Sequence, residues 1–182
     1  MIKEERITLK NPNYITIENT RFIFTTNFSG DPSRSNFGDD RRTCSIIVPS
    51  EEQAKDLSKA GFTVKATKPS SRRGDDPDNF VPEYFVDTQV KYKKRNGEAV
   101  KYPPSVNLIP GPGQPKVALT EETIGCLDHI RVKNVNVVLN PWERDDGSLG
   151  LYIRTLYVEQ DMDDDPFASR YSVEPEFADE PF

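Results

Sequence analysis

The sequence has few of the residues that metal centres and nucleophilic active sites use. It contains one histidine, His129, and two cysteines, Cys44 and Cys126, which do not form a C-x-x-C pair. One histidine cannot build a metal-binding cluster, and its context gives little support to a Ser/His or Cys/His catalytic pair. We therefore expect no metal, no cofactor and no enzymatic activity. Both cysteines lie in apolar stretches, which favours two reduced, buried thiols over a disulfide.

Long apolar runs are also missing. No stretch approaches the roughly 20 apolar residues of a membrane-spanning helix, and the N-terminal MIKEERITLK lacks the apolar core of a signal peptide. The PGPG stretch at 110–113 lacks the Lys-Ser/Thr that completes a phosphate-binding P-loop. These absences predict a cytoplasmic protein that does not interact with membranes.

Acidic charge is concentrated at the C-terminal end. Residues 161–182 contain eight acidic residues and one basic residue, whereas residues 1–160 contain 22 acidic and 23 basic residues. The hydrophobic pattern also stops near residue 161, which is typical of disorder. We therefore divide the sequence into a folded domain, 1–160, and an acidic, largely disordered tail, 161–182. Charge asymmetry of this kind is typical of nucleic-acid-binding proteins and of interaction tails.

The first 160 residues have mostly strand patterns. YITIENTRFIFTTNF (14–28) is rich in β-branched and aromatic residues and offers Glu18-Asn19 as a turn between two strands. SEEQAKDLSKAGF has Ser50 as N-cap, a capping-box pattern and Gly61 after the last turn, which predicts a helix. FTVKATK follows as a further strand.

Two long hairpins are predicted in the second half of the domain. Asn96-Gly97 and Asp146-Gly147 are signals for two-residue turns, because a type I′ turn needs positive φ at both central positions. In the last strand, simple alternation predicts one face with four side chains, Tyr152, Arg154, Leu156 and Val158.

Together these elements predict a mainly β fold. Several strands, extended β-hairpins and one or two short helices are compatible with a five-stranded barrel of the OB-fold type, in which a helix often closes one end. The order of the elements leaves a β-sandwich open as the alternative. The sequence has no visible internal repeat and no second domain.

The hairpin YKKRNGEAVKY (92–102) has the two features that non-specific single-strand binding needs. Cations track the phosphates and aromatic faces stack the bases, and this segment concentrates both around one protruding turn. Three other stretches add arginines, a lysine and the single tryptophan. The predicted contact residues are Lys91, Tyr92, Lys93, Lys94, Arg95, Lys101, Tyr102, Arg41, Arg42, Arg72, Arg73, Arg131, Lys133 and Trp142.

Each of these features has a structural alternative. A lysine-rich tip also protects an edge strand from aggregation, and a lone Trp142 is often a core or barrel-rim residue. The near-neutral domain argues against strong phosphate binding, although affinity follows the phosphates contacted and not the net charge. Three acidic pairs lie in turn-like stretches and are interpreted as solvated loop charge, with a magnesium-dependent nuclease as the weaker alternative. They are Asp39-Asp40, Asp75-Asp76 and Asp145-Asp146.

Long segments of the sequence resemble a known family, the single-stranded DNA-binding proteins of bacteriophages and prophages. The similar segments are NFSGDPSRSNFGDDRRTCSIIVP, EEQAKDLSKAGFTVKATKP, FVPEYFVDTQVKY and NVNVVLNPWE with GSLGLYIRTLYVEQDMDDDPFASRY. The resemblance covers about residues 18–171 and is a pattern of whole segments, not a short catalytic signature. It implies an OB-fold, sequence-independent binding of single-stranded DNA, and roles in phage DNA replication and recombination in the host cytoplasm.

The C-terminus resembles such proteins as well. Bacterial and phage single-strand binders commonly end in an acidic tail with a terminal or near-terminal Phe that contacts partner proteins. The matching positions here are Asp179, Glu180, Pro181 and Phe182. The resemblance implies that the tail recruits replication or recombination proteins, although ASRYSVEPEF is less uniformly acidic than many such tails. The alternative is a β-barrel adaptor that binds no DNA and acts only through this tail. The oligomeric state is left open.

Overall fold

The computed structural model describes residues 14–35, 38–111 and 113–161. Within these ranges it contains nine β-strands, one α-helix and three short 3₁₀ segments. In chain order, the strands and the helix are β1 (Ile15–Thr20), β2 (Phe22–Asn27), β3 (Arg42–Val48), α1 (Glu51–Lys59), β4 (Lys65–Ala66), β5 (Tyr84–Val90), β6 (Ser105–Ile109), β7 (Val117–Leu119), β8 (Val132–Glu143) and β9 (Leu149–Gln160). The 3₁₀ segments are Pro32–Arg34, Ser71–Arg73 and Ile124–Asp128. None of the described helices is long and apolar enough to cross a membrane.

The nine described strands form one sheet. Its main path runs β1-β8-β9-β5-β3-β2, and β4, β6 and β7 join it at the side. Neighbours on this path are antiparallel except β5 and β9, which are parallel. β9 is the centre of the sheet, because β5 flanks its first half and β6 flanks its second half.

The predicted mainly β fold with one short α-helix and long hairpins is confirmed. The main path has six strands, one more than the five of the predicted barrel. Its end strands, β1 and β2, do not pair with each other in the described residues, so the hydrogen-bonded ladder is not closed. The strand predicted for FTVKATK forms over only two residues, Lys65–Ala66.

The hydrophobic core lies on the inner face of this curved sheet. Strand alternation places Val135, Val137 and Leu139 of β8 inside, each at 2 % exposure or less. Phe28, which follows β2, is fully buried and packs edge-to-face on Phe22 with ring centroids 5.2 Å apart. Each such side chain contributes about 1.5–3 kcal/mol when it is removed from water. The core therefore holds the groove residues described below on a stable frame.

The predicted helix is confirmed, with both of its ends. The Ser50 hydroxyl accepts a hydrogen bond from the Gln53 N–H at 3.2 Å, which caps the N-terminus. The buried residues Ala54 and Leu57 pack the helix against β3 and β5. The chain leaves through Gly61 at φ +99°, in the hydrogen-bond pattern of a Schellman motif. All of these signals are local, which is why the sequence predicts them.

The prediction that Tyr152 and Leu156 share a face of β9 is wrong. Two consecutive residues of β8 pair with Thr155 and Ile153, which leaves Arg154 between them as a β-bulge. The bulge shifts the alternation by one residue. The inward side chains are therefore odd-numbered before the bulge and even-numbered after it: Leu149, Leu151 and Ile153, then Leu156 and Val158.

The predicted turn at Glu18-Asn19 is also wrong. β1 continues through both residues to Thr20, and together they bulge out of the β1–β8 pairing opposite Asn136. Asn19 has φ +53°, and its N–H donates to Asn136 Oδ1 at 2.9 Å. The strand is interrupted only at Arg21, after which the chain enters β2, which pairs with β3. An asparagine tolerates positive φ, and this property serves a bulge as well as a turn.

Both predicted hairpins form, but neither turn is type I′. The Gly97 N–H donates to the Lys94 carbonyl, and the Gly147 N–H donates to the Arg144 carbonyl, both at 2.9 Å. Each glycine is therefore the fourth residue of its turn and not a central one. Only the glycines have positive φ, at +87° and +85°. A turn followed by a left-handed glycine is the three-residue hairpin with a G1 bulge.

The two cysteines differ in their environment. Both are free, as predicted, but only Cys44 is buried, and the prediction that Cys126 is buried is wrong. Burial raises the pKa of the Cys44 thiol to about 12, and its Sγ lies 3.1 Å from Thr88 Oγ1. Cys126 lies in the Ile124–Asp128 segment with an exposed side chain. Since the thiolate is the reactive form, Cys44 is chemically inert in the folded protein.

Candidate nucleic-acid interface

The hairpin that follows β5 extends beyond the sheet. The Val100 N–H donates to the Tyr92 carbonyl at 3.0 Å, and the Lys94 N–H donates to the Glu98 carbonyl at 2.7 Å. This ladder fixes the register and places the two cations of the tip pair, Lys94 and Arg95, at the turn. The exposed cations of its first strand and turn are Lys91, Lys93, Lys94 and Arg95.

An open groove of about 710 Å³ lies between this hairpin, the chain after β2 and the start of β3. Its lining is strongly cationic, because cations outnumber carboxylates three to one. The cations are Arg41, Arg42, Lys91, Lys93, Lys94 and Arg95, and the carboxylates are Asp40 and Glu121. The structure thus brings six of the fourteen predicted contact residues, and Tyr92 as a seventh, into one site.

The groove cations differ in how they are held. Arg41 pairs with Asp39 at 2.6 Å, and Lys93 pairs with Glu121 at 3.7 Å. The Arg41 guanidinium also holds the pKa of the Asp39 carboxyl below its usual range. The tip pair makes no ion pair within the described ranges. Its two charges are therefore available to a phosphate.

Two tyrosines line the groove, and only one of them is predicted from the sequence. Tyr92 is half-buried against the core, and the Arg42 guanidinium lies 5.7 Å from its ring centroid. Its hydroxyl is buried without a hydrogen-bond partner in the described residues, and burial raises the pKa of the phenol. Tyr152, on β9, is the second ring. Its centroid lies 4.9 Å from that of Trp142.

Tyr152 has a sequence signal that a single alternation over the whole of β9 hides. The run from Leu149 to Ile153 alternates apolar residues with Gly150 and Tyr152. That alternation places Tyr152 outside when this half of the strand is considered alone. The bulge at Arg154 hides this pattern when one in/out alternation is applied to the whole strand.

Several predicted contact residues lie away from the groove. Arg72 and Arg73 belong to the loop at the Tyr84 end of β5, whereas the groove is at the Val90 end, ~20 Å along a seven-residue strand. Arg73 pairs there with Asp75 at 2.9 Å.

The remaining predicted residues are at three further places. Arg131 and Lys133 lie at the start of β8, whereas Trp142 lies near its other end, beside Tyr152. Lys101 and Tyr102 lie between the hairpin and β6, outside the groove lining. Tyr102 is 77 % exposed, with the Lys101 ammonium 5.4 Å from its ring centroid.

Asp128 organises the chain beside the groove and is not predicted from the sequence. Its side chain is fully buried. It accepts hydrogen bonds from the N–H groups of Phe28 and Ser29 at 2.8 and 2.9 Å and from the Thr26 hydroxyl at 2.7 Å. Arg34 Nε lies 3.6 Å from the same carboxylate. The partners are about 100 residues away in sequence, so no local pattern identifies this role.

The three acidic pairs take part in their own turns. Asp39 accepts a hydrogen bond from the Arg41 guanidinium. Asp75 accepts one from the Ser70 N–H, and Asp146 accepts one from the Ser148 hydroxyl. These hydrogen bonds lower the pKa of each of the three carboxyls. The contacts agree with the interpretation of solvated loop charge. Within the described ranges, no three His, Cys, Asp or Glu side chains lie close enough to hold a metal ion.

The predicted partner-binding residues Asp179, Glu180, Pro181 and Phe182 lie outside the described residues, as does all of the tail after Asp161.

Comparison with known proteins places the chain in a family. Residues 2–181 match the family model described as "Putative phage ssDNA-binding domain". Among solved structures, a C-terminal truncation of the single-stranded DNA-binding protein from bacteriophage Enc34 is similar, with 11 % identity and a TM-score of 0.40 over 81 % of this chain and 84 % of that one. No curated protein sequence matches. Because the family model spans nearly the whole chain, this protein belongs to the phage single-stranded DNA-binding domain family, and that membership supports single-stranded DNA as its ligand.

Proposed function

We propose that this protein binds single-stranded DNA without sequence preference, on an OB-type barrel, during phage DNA replication and recombination. It acts by binding and protecting the strand, not by catalysis. The groove carries the proposal, because six cations and two tyrosines line one open channel. Phosphates need the cations and bases need the flat rings. An interface of this kind contacts few base edges, so it tolerates any sequence.

The groove also accounts for binding by a nearly neutral domain. Residues 1–160 contain 23 basic and 22 acidic residues, so the average charge attracts no polyanion. Affinity depends on the phosphates that are contacted, and several acidic side chains outside the groove, such as Asp75, Asp146 and Glu83, make turns or ion pairs of their own. The cations in the groove are thus left in local excess.

A fluorescence titration with a dT oligonucleotide at two salt concentrations tests this function. If the groove contacts about four phosphates, the logarithm of the binding constant falls with the logarithm of salt concentration with a slope of about −3. A duplex of the same length is the control, and it should bind more weakly because its bases are not free to stack. If the full chain fails to bind dT at low salt, the adaptor function replaces this one.

We further propose that the tail, 161–182, recruits replication or recombination proteins. It carries eight acidic residues and ends on Phe182, and six cations and two carboxylates line the groove. A tethered acidic segment has a high effective concentration near its own domain and competes with phosphates for the same cations. DNA binding would then release the tail and present Phe182 to a partner.

Removal of residues 162–182 is expected to raise the affinity for dT roughly three- to tenfold at low salt, with a smaller effect at high salt. Asp161 stays, because its N–H donates to the Arg131 carbonyl at 2.8 Å. Phe182→Ala is the matched control, since it keeps every tail charge. It should leave the dT affinity unchanged but abolish co-purification of a replication or recombination protein. Recruitment that survives both changes contradicts the proposed role of the tail.

A further inference from the structure

Four side chains form a continuous row across the outer face of the sheet beside the groove. The Lys91 ammonium lies 5.6 Å from the centroid of the Tyr152 ring. The Tyr152 ring lies 4.9 Å from that of Trp142 at an interplanar angle of 31°. The Arg144 guanidinium lies 5.3 Å from the Trp142 ring. Two adjacent aromatic rings, tilted to each other, thus have a cation at each end of the row.

The sheet topology explains why these residues meet. β9 lies between β8 and β5, and Tyr152 pairs with Gln89 of β5. Lys91 is two residues beyond Gln89 and so points to the same face, whereas Trp142 approaches from β8 on the other side. Tyr152 is therefore flanked by a cation on the groove side and by an indole on the far side.

Gly150 gives the indole the room it occupies. A Cβ at this position would lie 2.7 Å from Trp142 Cε3 and 3.0 Å from Arg144 Nη2. Gly150 pairs directly with Trp142 across the β8–β9 hairpin. The absence of a side chain lets the ring lie flat on the strand and reach Tyr152.

The two cations of the row are held very differently. Arg144 donates to the Leu149 carbonyl at 2.9 Å and lies 3.4 Å from the Ser148 hydroxyl, so its hairpin fixes it. Lys91 is exposed and has no ion pair or hydrogen bond from its ammonium to another described residue. Lys91 and Tyr152 both line the groove, whereas Trp142 and Arg144 do not.

We infer that Tyr152 is the base-stacking residue of the groove and that Lys91 is its exchangeable cover. This inference rests on the proposed binding of single-stranded DNA. An incoming base replaces the Lys91 ammonium on the ring, because base stacking outweighs an exposed cation–π contact. The released ammonium then pairs with the phosphate of the same nucleotide. Trp142 supports the opposite side of the ring, and Arg144 and Gly150 position Trp142.

Matched oligonucleotides with and without bases test this assignment in the full chain. We expect Tyr152→Leu to weaken binding of a dT oligonucleotide roughly 10- to 30-fold and to leave binding of an abasic strand of the same length unchanged. Tyr152→Phe keeps the ring and should bind both strands like the wild type. A general loss of structure would weaken both strands equally, and that result would overturn the assignment. If the wild-type protein itself does not bind dT, the proposed function fails, whatever the Tyr152 variants show.

The single tryptophan supplies a second readout. Trp142 is the only tryptophan of the chain, so its emission reports on the row directly. We expect saturating dT to change this emission and the abasic strand to leave it unaltered. Wild-type protein that binds dT with normal affinity but no change in emission, together with a Tyr152→Leu variant of normal dT affinity, would refute the inference while leaving the proposed function intact.

Discussion

Replacement of both tip-pair cations by glutamate, Lys94→Glu with Arg95→Glu, is expected to weaken dT binding roughly 30- to 100-fold at low salt. These two side chains make no ion pair in the described structure, so no carboxylate there neutralises their charge. Reversal removes two phosphate contacts and adds repulsion at the same point of the groove. The salt dependence should become shallower, with a slope smaller by about 1.4. A titration at four or more salt concentrations measures both effects.

The matched control is Lys68→Glu with Arg72→Glu. It makes the same change in net charge on an exposed loop at the far end of β5. If the groove is the binding site, this variant loses less than about threefold, which is the long-range effect of net charge alone in moderate salt. Equal losses in the two variants would show that the DNA path includes the loop around Arg72, or that binding is diffuse. Either result contradicts the placement of the site in the groove.

Asp128→Ala is expected to destabilise the fold by about 3–5 kcal/mol, a loss typical of breaking a buried, hydrogen-bonded charge. The carboxylate accepts from two backbone N–H groups and one hydroxyl. Its removal leaves the N–H groups of Phe28 and Ser29 without this acceptor and leaves Arg34 without its counter-charge. Urea unfolding followed by Trp142 fluorescence measures the free energy of unfolding.

Asp145→Ala controls for the loss of one acidic residue. Asp145 is exposed in the β8–β9 turn, and a surface change of this kind shifts stability by less than about 0.5 kcal/mol. Because Ser29 also lines the groove, the folded fraction of Asp128→Ala should bind dT more weakly as well. An unfolding free energy within about 1 kcal/mol of the wild type would mean that solvent replaces the lost acceptor, contrary to the buried position of Asp128.

The parts of the molecule that the sequence predicts well depend on neighbours in the chain. The α1 helix is recognisable because Ser50 and Gly61 mark its two ends within one short segment of the chain. The cationic side of the groove is recognisable because Lys91–Arg95 is a continuous segment on a hairpin. Charge and turn chemistry of this kind need no knowledge of the tertiary fold.

The parts that the sequence does not predict depend on distant contacts. Arg41, Arg42 and Arg131 are all predicted contact residues, but the pairing of β3 with β5 brings only the first two to the hairpin cations. Arg131 lies at the start of β8, away from the groove. Asp128 finds its partners about 100 residues earlier in the chain. The two hairpin turns are not the predicted type I′ turns, because the flanking strands select three-residue loops. A glycine accommodates the positive φ that either kind of turn requires.

The bulge at Arg154 determines which side chains of β9 face the same side of the sheet. Tyr152 and Tyr157 are separated by an odd number of positions, so a regular strand would place them on opposite faces. With one extra residue between them, both tyrosines face outward, each beneath a lysine ammonium at 5.6 and 5.7 Å, while the row of inward side chains stays unbroken. Loss of Arg154 alone would remove the bulge and leave a regular strand in which both tyrosines still face outward and Leu156 still faces inward. Near this point, β9 therefore tolerates the deletion of one residue, whereas the deletion of two residues would reverse the faces of one half of the strand.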